Sequence, residues 1–182
     1  MGYLQSIGNR LSENTLLLFL RKEQNSNFMN KKKPIKRHAA LQSLSRDHHH
    51  GLLLSWKIRK GFTKGISIER MVDYASWFFK NSLLAHFELE EKYIFPLLGD
   101  KDELVKKALA QHRRLVRLFE LKEDNQKNLC LIEEELECHI RFEERILFNK
   151  IQEVASKEEL AFIETVHSGL VFEDNWDDKF WE

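Results

Sequence analysis

The sequence predicts an all-α protein: an antiparallel up-down-up-down four-helix bundle with an extra C-terminal helix and a poorly structured N-terminal leader. Helix-breaking residues are scarce, since the 182 residues include only 7 Gly and 2 Pro, while helix-forming Glu, Lys and Leu are abundant. Apolar residues recur every three or four positions from about residue 38 onward, which is the helical period. Short polar turns separate these segments, and short connections favour antiparallel neighbours.

Composition and charge narrow the class of protein. The length suits one domain, and 42% hydrophobic residues with 13 Phe exceed what a disordered chain carries. The 29 basic residues balance the 29 acidic ones, so we expect neither nucleic acid nor a membrane surface as a partner. The apolar run from Leu16 to Leu20 is too short to span a membrane. Cys130 and Cys138 fit neither a disulfide framework nor a zinc site, so we expect free thiols and a cytoplasmic location.

The chain divides into three predicted parts: a leader at 1–37, a helical domain at 38–172 and an acidic, aromatic tail at 173–182. The leader ends in a basic run from Lys31 to Arg37 without interleaved aromatic residues. A solvated, partly mobile leader is therefore favoured over a nucleic-acid patch. Met29 is an alternative start of the chain, a hypothesis that N-terminal sequencing of the native protein would test. For the tail, self-packing or mobility is favoured over binding to a protein partner.

Start and stop signals delimit five predicted helices. They cover about residues 38–60, 67–98, 100–122, 129–154 and 156–171. Gly61 and Gly65 are predicted to end the first helix, and Pro96 is predicted to disturb the last turn of the second. Capping-box patterns predict the starts of the third and fifth helices: Asp100 with Glu103, and Ser156 with Glu159.

Histidine interrupts the apolar stripe of each long helix near its middle. The four histidines are His48, His86, His112 and His139. In the second and fourth helices a glutamate, Glu90 or Glu143, follows four residues later on the same face. A single core histidine is usually structural, and a buried His–Glu hydrogen-bond network is the alternative for the whole set. Metal binding is favoured, because two buried carboxylates are costly unless they are paired or bound to metal.

The donor types narrow the metal. Imidazole and carboxylate without thiolate suit iron, manganese or zinc. Six protein donors exceed what one tetrahedral zinc ion needs. The pattern therefore indicates a dinuclear iron or manganese centre, which helical bundles can host in their cores.

Two motifs carry a resemblance to a known family. The segment HFELEEKYIFP at 86–96 resembles the second-helix signature of hemerythrin-like (HHE cation-binding) proteins, and HIRFEERILF at 139–148 resembles their fourth-helix signature. Two further dipeptides resemble the single-histidine elements of the first and third helices: Asp47-His48 and Gln111-His112. The resemblance covers about residues 40–152, which is most of the chain.

The resemblance implies a non-haem centre of two iron ions, with manganese or zinc as alternative metals. The four histidines would be terminal ligands, and Glu90 and Glu143 would bridge the ions. A small diatomic molecule, O2 or nitric oxide, would be the partner. The alternative functions are a metal-dependent enzyme, whether peroxidase-like, nitric-oxide-reducing or repairing iron–sulfur centres, and an iron-buffering bundle. Family members that repair such centres carry a Cys-bearing N-terminal domain, and no Cys precedes residue 130 here.

The sequence departs from the oxygen-carrying hemerythrins at two places. They have a second histidine four residues after the third-helix ligand, where this chain has Val116. Their last carboxylate is an Asp five residues after the fourth-helix histidine, whereas here Glu143 stands at four and Glu144 at five. Six ligands in place of seven leave an open metal position. Reaction with O2, peroxide or nitric oxide is therefore favoured over simple O2 carriage.

Several residues near the motifs have two interpretations. His48 keeps phase with Leu44 and is preferred as the first-helix ligand, with His49 as the runner-up. Glu91 and Glu144 are expected to be either exposed or hydrogen-bonded to a ligand histidine. Tyr93 is a candidate proton donor. Glu164 and His167 are not expected to form a ferritin-like site. Four aromatic residues are expected to lie in the core and to shield the centre: Trp56, Trp77, Phe79 and Phe87.

Overall fold

The computed structural model describes residues 36–166 and 172–182, in which every regular element is a helix. The all-α prediction is confirmed for these residues. The predicted leader, apart from its last two residues, and the hypothesis on Met29 lie outside the described part of the chain. None of the described helices is long and apolar enough to cross a membrane.

Helix α1 spans Ala39–Lys64. Its first turn is capped by His38, whose Nδ1 accepts a hydrogen bond from the Ala40 N–H at 3.2 Å. Gly65 ends the helix with a φ of 66°, a left-handed conformation that glycine adopts without steric cost.

Gly61 lies inside α1, so the prediction that it ends the helix is wrong. A Cβ atom at Gly61 would collide with the sulfur of Met71 and come within 3.1 Å of the Phe180 ring. This glycine therefore serves close packing of α1 against its neighbours and not helix termination.

Helix α2 is a continuous helical run over residues 68–97 with changing pitch. Its segments are α-helical at Ile68–Phe78, π-helical at Phe79–Leu83, α-helical at Leu84–Leu89, π-helical at Glu90–Ile94 and 3-10 at Phe95–Leu97. The last turn contains Pro96, in line with its predicted disturbance. The two π turns were not predicted, because a π turn leaves no strong signal in the apolar period.

Three further helices complete the described chain. They are α3 at Glu103–Glu120, α4 as a run of Asn125–Phe142, the π turn Glu143–Leu147 and Phe148–Val154, and α5 at Lys157–Val166. The predicted end of the fifth helix at residue 171 lies outside the described residues.

The two predicted capping boxes have different outcomes. For α3 the prediction is wrong, because the cap is Asp102, whose carboxylate accepts from the Leu104 N–H at 2.8 Å. For α5 it is confirmed. The Ser156 N–H donates to the Glu159 carboxylate at 2.8 Å, and the Glu159 N–H donates to the Ser156 hydroxyl at 3.2 Å.

Buried apolar residues of the four long helices form two clusters. The first includes Ile58, Phe78, Leu118 and Ile132. The second includes Leu44, Phe95, Ala108 and Phe148. Phe79 and Phe87 are buried as predicted and Trp77 is partly buried, but Trp56 is 45% exposed and the prediction that it lies in the core is wrong. On each long helix the chain changes from one cluster to the other beside the buried polar residues described below.

Residues 172–182, here named the C-terminal strap, pack against α1 and α2. The Lys57 amine is buried beneath them, donates to the Tyr74 hydroxyl at 2.7 Å and pairs with the Asp174 carboxylate. It also lies 3.6 Å from the centre of the Trp181 ring, within the range of a cation–π contact. Of the interpretations of the tail, self-packing is therefore the one that these residues show.

Docking of the strap should depend on acid through Asp174. Although burial raises the pKa of this carboxyl, hydrogen bonds from Lys57 and Tyr74 lower it below the usual value. Such a group stabilises the folded form above its unfolded pKa of about 4, and the stabilisation is lost as pH falls through the lower folded pKa. We expect tryptophan fluorescence to report an acid transition that Asp174→Asn weakens and that the exposed control Asp177→Asn retains. The pair of Asp178 with Arg70, which lowers the pKa of Asp178, accounts for the remaining transition. An unchanged transition in Asp174→Asn would contradict this assignment.

Candidate metal centre

The six side chains singled out by the sequence converge on one buried cluster. Each is at most 5% exposed. They are His48 on α1, His86 and Glu90 on α2, His112 on α3, and His139 and Glu143 on α4. The alternative His49 is exposed, so the structure favours His48 at this position.

The cluster contains two overlapping groups that could each hold a metal ion. The α1–α2 set is His48, His86, Glu90 and Glu143, and the α3–α4 set is Glu90, His112, His139 and Glu143. Within each set the ligand atoms lie within 4.8 Å of one another. Both glutamates belong to both sets.

The distances inside the sets suit a shared cation. The Nε2 atoms of His86 and His112 lie 3.3 and 3.4 Å from opposite oxygens of Glu90. Those of His48 and His139 lie 3.1 and 3.2 Å from one oxygen of Glu143. Two donors at right angles around one ion, each about 2.1 Å from it, are about 3 Å apart.

Buried atoms at the centre of the cluster have no hydrogen-bond partner within the described chain. They are both oxygens of Glu90, both oxygens of Glu143 and the Nε2 atoms of His48 and His86. Burying such polar atoms without partners is costly. A bound cation would satisfy all of them, and imidazole with carboxylate is a donor set that first-row metals accept. The residues present therefore fit a metal ion.

Both glutamates open a π turn. Glu90 begins the π turn of α2, and Glu143 begins that of α4. A π turn places an extra residue in one turn of helix, and such turns are frequent at functional sites. Each glutamate points into the cluster, while the next residue, Glu91 or Glu144, reaches a histidine on another helix.

The outer nitrogens of the four histidines are held by what we name the orienting ring. Its members are Asp47, Glu91, Gln111 and Glu144, and a side-chain oxygen of each lies close to one histidine Nδ1 atom. Asp47 lies 3.3 Å from His86 and Glu91 lies 2.8 Å from His112. Gln111 lies 3.2 Å from His139 and Glu144 lies 2.8 Å from His48. Each of the helices α1 to α4 thus supplies one histidine and one polar group that contacts the histidine of another helix. A partner at Nδ1 sets the ring orientation and leaves Nε2 for a metal.

One member of the orienting ring is itself held in place. Glu144 accepts from the Ser45 hydroxyl at 2.7 Å and from the Arg37 guanidinium at 2.7 Å. Arg37 also donates to the Glu144 carbonyl oxygen at 2.5 Å and lies over the Phe148 ring. The sequence placed Arg37 in the leader, but the structure ties it to α4.

Aromatic rings cover the histidines. Phe148 stacks on His48 with ring centres 5.2 Å apart, and Phe87 stacks on His112 at 3.9 Å. Phe87 also meets His139 edge-on at 5.6 Å. These apolar surfaces keep bulk water from the cluster, which strengthens electrostatic interactions inside it.

Charges within the cluster shift its pKa values. Burial disfavours the imidazolium form, but the carboxylates of Glu90 and Glu91 raise the pKa of His112 to about 9. Burial favours the neutral acid at Glu90, yet the surrounding imidazoles lower its pKa. Burial and the nearby His112 lower the pKa of His139. The carboxylates also raise the pKa values of His48 and His86. Glu90 and His139 thus favour the forms that bind metals, whereas the other three histidines would release protons when a metal binds.

Other candidate residues lie away from the cluster or beside it. Tyr93 packs its ring against Phe162 at 5.9 Å, a packing contact that does not assign it proton donation. Val116 is partly buried against the first apolar cluster. Glu164 is exposed on α5, and His167 lies outside the described residues.

Sequence reasoning missed the roles of four residues. Asp47 and Gln111 were quoted only as neighbours of histidines, and Phe148 and Arg37 were given no role at the site. The sequence did contain one signal, a polar residue directly before or after four of the six buried side chains. Such a residue can hydrogen-bond to a histidine, but its position in the sequence does not indicate which one.

Comparison of the chain with protein-family models, with curated proteins and with solved structures finds no match.

Proposed function

We propose that the chain is a hemerythrin-like protein that holds two iron ions and binds, senses or reacts with O2 or nitric oxide. The observation that carries the proposal is the buried pair of overlapping sets, whose shared glutamates have no other partner in the described chain. One ion would be held by His48, His86 and the two glutamates, and the other by His112, His139 and the same glutamates. Manganese and zinc accept the same donors and are the alternative metals.

The proposed architecture is the antiparallel up-down-up-down four-helix bundle. Its support is the alternation of the apolar clusters along the chain. The first cluster uses α1 after His48 and α2 up to Phe87, while the second uses α1 before His48 and α2 from Leu89 onward. The same exchange occurs on α3 around His112 and on α4 between Ile140 and Phe142. Neighbouring helices that run in opposite directions produce this pattern.

Reaction with a small molecule follows from the donor count. Each set supplies four protein donors, whereas iron commonly accepts more, so a small ligand can bind beside them. When bound, iron supplies the redox and Lewis-acid chemistry. The chain's own residues hold the ions, orient the imidazoles through the orienting ring and exclude bulk water with Phe87 and Phe148.

The proposal is tested by loading the full chain with Fe(II) under anaerobic conditions. About two irons per chain are expected, and addition of O2 or nitric oxide should produce new charge-transfer bands in the optical spectrum. Catalytic consumption of peroxide or nitric oxide would assign the enzyme alternative. Two irons without any spectral response would assign iron buffering. Failure to retain iron, manganese or zinc would overturn the proposal.

A further inference from the structure

The two metal-binding sets are alike in their inner donors. Each has two histidine Nε2 atoms and shares the same two glutamates. Inner donors therefore give the two sets no reason to differ in affinity. A difference is expected from the groups that hold the histidines, because outer partners set the orientation and basicity of a metal-binding imidazole.

The α1–α2 set has two carboxylates as outer partners, and both are largely buried. Glu144 faces His48 and is 22% exposed, and Asp47 faces His86 and is 17% exposed. Glu144 is also clamped by Ser45 and Arg37. Arg37 offsets part of the negative charge of Glu144, so its main contribution is a fixed carboxylate position.

The α3–α4 set has weaker outer partners. Glu91 faces His112 at 2.8 Å but is 42% exposed, so water competes for its carboxylate. The partner of His139 is Gln111, whose amide oxygen is neutral, whereas the partner of His86 at a similar distance is the Asp47 carboxylate. A neutral acceptor raises the basicity of an imidazole less than a carboxylate does.

We infer that the α1–α2 set binds its ion first and more tightly, and that the α3–α4 set holds the exchangeable ion. This inference rests on the proposed two-metal function and deepens it. The orienting ring is thus a set of positioning residues that makes two chemically matched sites unequal. Losing an outer partner typically costs about 10- to 100-fold in metal affinity, which gives the expected size of the gap.

A titration of the full chain with Mn(II) tests the inference. Calorimetry should resolve two steps with dissociation constants that differ by about 10- to 100-fold. Electron paramagnetic resonance should show an isolated Mn(II) ion at one equivalent and a spin-coupled pair at two. A single step with coupled pairs from the start would overturn the inference while leaving the proposed function intact. Absence of Mn(II), iron and zinc binding would overturn both.

Two matched ligand variants test which set is tighter. His139→Leu leaves the α1–α2 set complete and should retain one ion with the affinity of the first native step. His86→Leu leaves only the α3–α4 set complete and should retain one ion with the affinity of the second step. Equal affinities in the two variants, or the reverse order, would overturn the assignment.

Variants of the orienting ring test whether it causes the difference in affinity between the two sets. Gln111→Glu should tighten the second step and narrow the gap, and Glu144→Gln should weaken the first step by about 10-fold or more. Glu134→Gln, an exposed carboxylate on the same helix as Glu144, is the matched control and should change neither step. Circular dichroism establishes that each variant is folded. A first step unchanged in folded Glu144→Gln would overturn the role assigned to the ring.

Discussion

Replacing either shared glutamate by alanine should remove both metal ions, whereas replacing one histidine should remove only one. Glu90→Ala leaves each set with three of its four donors, and Glu143→Ala does the same. His139→Ala affects the α3–α4 set alone and leaves the tighter α1–α2 set complete. The expected metal content is therefore near zero for the glutamate variants and about one ion per chain for the histidine variant. Elemental analysis after dialysis measures this difference.

The same variants should differ in their response to heat. A ligand at 100 times its dissociation constant stabilises the folded state by about 2.7 kcal/mol. For a domain of this size that corresponds to a rise of roughly 5 to 10 °C in Tm for each occupied site. The rise should vanish in Glu90→Ala and persist in Glu134→Ala, which removes an exposed carboxylate. Two ions retained by Glu90→Ala would contradict the shared role of the glutamates.

Much of the helical architecture could be predicted from local pattern. Apolar spacing determines which face of a helix is buried, so the positions of His48, His86, His112 and His139 on inner faces followed from their phase with leucines. A glutamate four residues after a histidine lies on the same face of a helix. That local rule predicted the burial of Glu90 and Glu143. Their role as metal ligands remains a prediction for the experiments above.

Features that depend on contacts between helices were not predictable. Gly61 has the ordinary signature of a helix stop, but the approach of Met71 and Phe180 gives it a packing role within α1. Trp56 belongs to the apolar pattern yet lies 45% exposed. Asp102 replaces Asp100 as the cap of α3, because the turn after α2 is longer than the pattern implied.

The orienting ring shows why the site itself could be predicted only in part. A sequence indicates which polar groups adjoin a donor on the same helix. It does not indicate that Asp47 meets His86, or that Gln111 meets His139, because those pairs join different helices. The π turns that contain Glu91 and Glu144 likewise leave no strong signal in the apolar period. This outer layer carries the inferred difference between the two metal positions.

Removing the ring that stacks on His112 should cost stability and also change the metal centre. Phe87 is buried, stacks on His112 at 3.9 Å and meets His139 edge-on. Phe87→Ala should lower the free energy of unfolding by about 3–5 kcal/mol, because it removes a large buried side chain and leaves a cavity. Water that enters beside His112 would weaken ion binding at the α3–α4 set. Chemical denaturation and a Mn(II) titration measure the two effects.

Phe79→Ala separates the structural effect from the effect on metal binding. Phe79 lies on the same helix, is also buried and stacks on a phenylalanine, Phe119, at 4.6 Å in place of a histidine. Its replacement should cost a similar free energy of unfolding, about 3–5 kcal/mol, with both steps of Mn(II) binding unchanged. The second step should weaken in Phe87→Ala alone. Equal losses of Mn(II) affinity in both variants would mean that the aromatic wall acts only through global stability and does not shield the metal-binding histidines.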